Sequence, residues 1–169
     1  MRNQLCLIAL CCLMTACART PDPTQSTQNE PPSIASVDVV KATPQETTIA
    51  PGGSGDAVVR MQITKGYHVN ANPPSQPYLK PTEIEIPPAQ SISVESITYP
   101  DPLVKTFAFS DTPLKVYEGE VDVKVRLKAD KSAAPGRRNL SAKLRVQACD
   151  DKVCYAPGAK DLIVPVNVK

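Results

Sequence analysis

Through most of its length the chain alternates apolar and polar residues with period two. Val121, Val123, Val125 and Leu127 fall on one side of a stretch whose other side carries Asp122, Lys124, Arg126 and Lys128. Leu140, Ala142, Leu144 and Val146 alternate in the same way with Ser141, Lys143, Arg145 and Gln147. Residues 58–64, 82–86, 91–97 and 162–168 keep the rule more loosely. Successive side chains of a strand point to opposite faces, so the pattern predicts half-buried antiparallel strands. No window shows the stripe of an amphipathic helix. Turn formers punctuate the segments: Pro51-Gly52-Gly53, Pro73-Pro74, Pro87-Pro88, Pro100-Asp101-Pro102, Pro135-Gly136 and Pro157-Gly158. Roughly seven or eight short strands with such breaks predict an all-β fold, an immunoglobulin-like antiparallel β-sandwich. Pro165, inside the last strand, predicts an edge position there, because proline cannot donate to a ladder.

The N-terminal part does not alternate. Residues 5–14 form an apolar run of ten behind a single Arg2, far short of the roughly 20 residues a membrane-spanning helix needs. The run suits a secretory signal. Leu13-Met14-Thr15-Ala16-Cys17, at its end, resembles a bacterial lipobox, which makes residues 1–16 a lipoprotein-type signal and Cys17 the lipidated residue. Several acyl chains on one residue give stable anchoring where one chain does not. Ala18 rather than an aspartate follows the cysteine, which favours the outer membrane. The expected location is therefore the bacterial cell envelope, exported and lipid-anchored on the periplasmic face of the outer membrane. Residues 17–36 are rich in Pro, Thr, Ser, Gln and Asn, cannot bury enough surface to offset ordering, and read as a flexible tether. Residues 37–169 make one domain.

Charge excludes more than it suggests. The formal net charge is +2, and Lys and Arg alternate with acids along the strands without forming a basic cluster. Nucleic-acid binding is not expected. The chain has no glycine-rich phosphate loop, and neither a cofactor nor a resident metal is expected.

Candidate chemistry lies in QACDDKVCYAP, residues 147–157. Four of the six cysteines belong to the first seventeen residues, so Cys149 and Cys154 are the pair left to the domain. Export permits disulfides. Continued from residues 140–146, the alternation puts Cys149 in the outward set or in the turn beyond it, outside the core. Spacing alone leaves three readings open. A bridge across so short a loop stabilises by only about 2 kcal/mol in the chain-entropy model. A metal clip needs further ligands, for which His68, Asp150 and Asp151 can be recruited. Reversible exchange is the third.

Several runs add a resemblance. Gly66-Tyr67-His68-Val69-Asn70, Tyr78-Leu79-Lys80-Pro81-Thr82, Pro113-Leu114-Lys115-Val116-Tyr117-Glu118-Gly119, and Gln147-Ala148-Cys149 with Cys154-Tyr155-Ala156-Pro157 stand in the order of one family. Residues 61–168 resemble the N-terminal periplasmic domain of the thiol:disulfide interchange protein DsbD, especially its stand-alone relatives. The resemblance implies an immunoglobulin-like fold with one redox disulfide, Cys149–Cys154. It implies partners as well: a membrane-embedded electron-donor protein on one side and thioredoxin-like periplasmic proteins on the other. Phe107, with Phe109 as its alternate, falls where the family has an aromatic cap over the bridge. Tyr67, His68, Asp150, Asp151 and Tyr155 are the candidate modulators, the two acids because carboxylates near a thiol oppose thiolate formation. The expected function is thiol–disulfide exchange that relays electrons between proteins. The alternative is a non-catalytic envelope binding module in which the bridge is a local staple.

Overall fold

A computed structural model describes residues 34–169. Cys17, the expected signal and nearly all of the expected tether lie outside the described residues. Among those described there are twelve strands: β1 (Val40–Pro44), β2 (Thr47–Ile49), β3 (Ser54–Ile63), β4 (His68–Asn70), β5 (Glu83–Glu85), β6 (Ile92–Thr98), β7 (Leu103–Lys105), β8 (Leu114–Tyr117), β9 (Glu120–Ala129), β10 (Gly136–Val146), β11 (Ala148–Cys149) and β12 (Gly158–Val168). The all-β expectation holds. The strands are distributed over three four-stranded sheets, β1-β3-β9-β6, β2-β12-β10-β5 and β11-β4-β8-β7, where the sequence pattern predicts two. Pairing is antiparallel throughout except between β2 and β12.

The longest strands are those whose alternation is cleanest. In β9 the buried residues are Val121, Val123, Val125, Leu127 and Ala129; in β10 they are Leu140, Ala142, Leu144 and Val146. Val59 and Met61 of β3 and Val164 and Val166 of β12 join them in one aliphatic core shared by the two larger sheets. The polar faces carry cross-strand ion pairs. Arg60 with Asp122 and Arg145 with Glu85 are bidentate, and all four side chains are substantially exposed. Such exposed pairs add little to stability.

β12 is an inner strand only at its end, and at Pro165 it has the expected open edge on one side. It pairs with β10 along eleven residues and with β2 from Val166 to Val168. Pro165 is tolerated because β2 begins to pair only at the next residue, leaving that side of the ladder open at the proline.

The third sheet is small and differs in character. Its strands are two to four residues long, and all three residues of β4 are buried. It lies where the chain leaves β10 and has not yet entered β12, strands joined at Val146↔Gly158. The cysteine-bearing stretch 147–157 is the whole of that connection.

The core makes a direct prediction. Leu127 is fully buried, so Leu127→Ala should cost about 2–5 kcal/mol in urea denaturation. Ile163 is 54% exposed on the other face of β12, and Ile163→Ala should stay within about 0.5 kcal/mol. Equal effects from the two substitutions would contradict the assigned inner and outer faces.

Candidate functional site

Gln147 ends the alternation of β10, and the chain passes from the second sheet to the third. Two side-chain amides hold this transfer. The Gln147 Oε1 accepts from Asn70 Nδ2 (3.0 Å) and from the Lys80 backbone N–H (2.8 Å), while its Nε2 donates to the Tyr155 carbonyl (3.3 Å). Asn70 is fully buried, and its Nδ2 also donates to the Lys80 carbonyl. The Asn70 carbonyl accepts from the Thr82 hydroxyl and backbone N–H. Four runs far apart in sequence are thus knitted together: 66–70, 78–82 and 147–155 through these amides, and 113–119 through the pairing of β8 with β4.

Past Gln147 the stretch folds back on itself. Tyr155 N–H donates to the Ala148 carbonyl and Asp150 N–H to the Val153 carbonyl, which makes Cys149 and Cys154 a facing antiparallel pair between those bonds. That is the closely spaced, non-hydrogen-bonded kind of pair. Their Cα atoms are 3.9 Å apart and their sulfurs are bonded. Asp150 builds the turn between them. Its Oδ1 accepts from the backbone N–H groups of Lys152 and Val153 (2.7 and 2.8 Å), and its Oδ2 from the Tyr155 hydroxyl (2.6 Å). These donors, the tyrosine first, hold the Asp150 carboxyl below its ordinary range. The same bond pushes the Tyr155 phenol up to about 12. Asp150 therefore acts first as a scaffold, whereas Asp151 is exposed.

Cys149 is fully buried, contrary to its expected outward position. The alternation of β10 does not continue into β11, because the intervening Gln147 lies outside both strands and the second strand belongs to a different sheet. Cys154 is only partly buried, so the two ends of the bridge differ in access.

His68 is the register partner of Cys149 across β4 and β11. It is 2% exposed, and its Nε2 has no hydrogen-bond partner among the described residues. Burial pushes the imidazole below its ordinary 6.5, against the pull of Glu118 and Asp151. Both acids line, with Lys65, Tyr67, His68 and Lys105, a cleft of about 350 Å³. Phe107 stacks on His68 with ring centroids 4.1 Å apart, and Phe109 stacks on Phe107 at 5.4 Å. The two phenylalanines do not share a strand face. Phe107 opens and Phe109 lies within a turn closed by Ser110 N–H to the Phe107 carbonyl, in the loop of the β7–β8 hairpin. Phe107 is 7% exposed and belongs to a second apolar cluster with Leu79, Leu114 and Val116; Phe109 is half-buried against it. Tyr67 packs near Tyr155 at 6.1 Å, on the flank of the cysteine hairpin.

The structure thus brings Cys149, Cys154, His68, Phe107, Phe109, Asp150, Tyr155 and Tyr67 into one neighbourhood. No group of three His, Cys, Asp or Glu side chains able to hold a metal occurs among the described residues. The contributions of Gln147, Asn70 and Ser36 escape sequence reasoning. Ser36, the last residue of the expected tether, is fully buried beside the hairpin. Buried amides carry no periodic signal, and a serine in a Ser/Thr/Pro-rich segment looks like its neighbours.

Substitutions at the hairpin base and the aromatic stack should separate their contributions. Gln147→Ala removes one of the two acceptors of the Asn70 amide and the acceptor of the Lys80 N–H, and should cost about 1–3 kcal/mol in chemical denaturation. Phe107→Ala empties a buried position and should destabilise by about 3 kcal/mol, while Phe109→Ala should cost distinctly less. His68 should make stability depend on pH. Because folding lowers the His68 pKa, its contribution to stability is complete above the unfolded value near 6.5 and is lost as pH falls toward the folded value. The denaturation midpoint should drop between pH 7.5 and 5.5, and His68→Gln should flatten that part of the profile; an unchanged slope would refute the assignment.

The chain is similar to known proteins. The family model described as "Thiol:disulfide interchange protein DsbD, N-terminal" matches residues 36–165. The solved N-terminal domain of Neisseria meningitidis DsbD in the reduced form is similar at a TM-score of 0.51 and 16% identity, over 79% of this chain and 90% of that one. The N-terminal periplasmic domain of ScsB from Proteus mirabilis gives a TM-score of 0.48 at 18% identity, over 76% of this chain and 45% of that chain. No curated protein matches. The likeness to the Neisseria domain bears on fold. The family match spans most of the chain, from the buried Ser36 through the cysteine hairpin to Pro165, and the chain belongs to the family of the N-terminal domain of DsbD.

Proposed function

We propose that the protein is an extracytoplasmic thiol–disulfide exchange protein that relays electrons between partner proteins through Cys149 and Cys154. The observation that carries this reading is the asymmetry of the pair: a fully buried Cys149 bonded to a partly exposed Cys154 within a hairpin of the matched family. Exchange proceeds by thiolate attack on a disulfide sulfur, so the accessible cysteine must engage the partner. In the reduced protein the Cys154 thiolate attacks a partner disulfide, forms a mixed disulfide and releases one partner thiolate. The Cys149 thiolate then attacks the Cys154 sulfur, restores the internal bridge and releases the second. Two electrons pass to the partner. A donor dithiol reverses the sequence at the bridge.

His68 fits the buried half of this cycle. Opposed residues of an antiparallel pair place their Cβ atoms about 5 Å apart, and a neutral imidazole across from Cys149 is suited to accept its proton. Phe107 and Phe109, stacked outward from His68, serve as the cap, with the half-buried Phe109 as its movable part. The domain is of immunoglobulin-like shape, the two larger sheets forming the sandwich. The donor is a membrane-embedded protein and the acceptors are thioredoxin-like. Residues 1–16 are a signal, Cys17 is lipidated and begins a tether that ends before the buried Ser36, and the chain from Ser36 to residue 169 is the exchanging domain, held at the periplasmic face of the outer membrane.

Two measurements test the relay. Cys149→Ser should trap thiol-sensitive adducts with partners on non-reducing gels, and Cys154→Ser should not. The bridge should titrate at a potential above about −300 mV, the range of reducible rather than stapling disulfides. A lower potential with no adduct from either variant returns the protein to a binding module with a structural bridge. For the anchor, Cys17→Ser should release the protein from membranes or leave it unprocessed; unchanged membrane fractionation sinks that part of the reading.

A further inference from the structure

In a regular hairpin the Ala148–Tyr155 pair, next to the cysteine pair, exchanges two backbone bonds. Here only one is made, Tyr155 N–H to the Ala148 carbonyl. The Ala148 N–H instead donates to the Ser36 hydroxyl oxygen at 3.0 Å, and that hydroxyl donates to the Ala156 carbonyl at 2.6 Å. One buried oxygen therefore ties the arm entering Cys149 to the arm leaving Cys154. The segment that carries it is itself fastened. Asp38 N–H donates to the Ala35 carbonyl, and Lys160 Nζ donates to the carbonyls of Val37 and Val40, both at 2.9 Å. Val37 also lies against Gly158, where an added Cβ would come within 3.0 Å of its Cγ1.

We infer that Ser36 is a positioning residue for the disulfide: its hydroxyl clamps the neck of the cysteine hairpin and sets how readily the bridge opens and re-forms. When the bridge is reduced, the two sulfurs must separate, and the arms are then held only by backbone and side-chain bonds. A clamp that survives reduction keeps the thiols close, raises their effective concentration and favours the oxidised form. Its removal frees the reduced form and shifts the equilibrium toward the dithiol. The inference rests on the exchange reading for its use in the cell, but the equilibrium it concerns exists for any reducible bridge.

The test is equilibration of the full chain in glutathione redox buffers, where bridge plus two glutathione thiols gives dithiol plus glutathione disulfide. The oxidised fraction is read by alkylation and mass spectrometry of the peptide holding Cys149 and Cys154. Ser36→Ala should lower the equilibrium constant for bridge formation about tenfold, equivalent to about 30 mV. Lys160→Met, which loosens the same segment without touching the clamp, should stay within about twofold. If the two variants lose stability alike and neither moves the redox equilibrium, Ser36 is only a packing residue and the inference fails. A second measurement needs no variant. In the reduced wild-type protein the Ala148 amide should remain protected from hydrogen exchange, and free exchange of that amide on reduction overturns the clamp. Neither outcome depends on whether partners form adducts, so a failed clamp and a failed relay are told apart.

Discussion

The hydrogen-bonded amides of Asn70 and Gln147 are the constraint on which the site depends. A strand that leaves one sheet for another must pass through backbone that neither ladder satisfies, and buried unsatisfied backbone is costly. Gln147 occupies that point. Its side-chain oxygen takes the Asn70 amide and the Lys80 N–H, its amide covers the Tyr155 carbonyl, and its own backbone carbonyl accepts from Asn70 N–H at 3.2 Å. With these groups satisfied, the chain turns from β10 into the small third sheet and Cys149 goes inside.

The long strands are legible in the sequence for a physical reason. β9 and β10 each face a core on one side and water on the other, so their period is written in side-chain polarity over ten or more residues. The third sheet is not legible by period. Its strands are too short to show one, and β4 is buried on both faces. What the sequence does carry there is the set of four short runs that resemble a family. Each run has its own place in the structure. His68 and Asn70 stand on β4, and the backbone of Lys80 and Thr82 meets the amide network. Leu114 to Tyr117 form β8, and Gln147 to Tyr155 make the hairpin. Extending parity across Gln147, where the chain changes sheets, is what misplaces Cys149. Resemblance puts Phe107 near the pair, but its burial with Leu79 and Leu114 cannot be read from an isolated Phe-Ala-Phe.

The same arrangement separates what holds the domain together from what the bridge does. The aliphatic core joins the two larger sheets and reaches the third through Val69, Tyr117 and Ala148, stopping one residue short of Cys149. The bridge closes a loop between residues separated by five positions, worth about 2 kcal/mol by loop-closure entropy and less if the reduced hairpin stays partly formed. The hairpin also has its own fastenings: Asp150 in the turn, Tyr155 across it, Gln147 at its base and Ser36 at its neck. A disulfide so well supported adds little to a fold that already specifies the positions of both sulfurs. The support is better understood from the opposite direction. A pair that must open and close repeatedly needs its surroundings to remain built while the covalent bond is absent, so that two thiols find each other again without refolding the loop. On the proposed exchange, the hydrogen bonds around Cys149 and Cys154 are the groups that would hold the two thiols in place while the bridge is open.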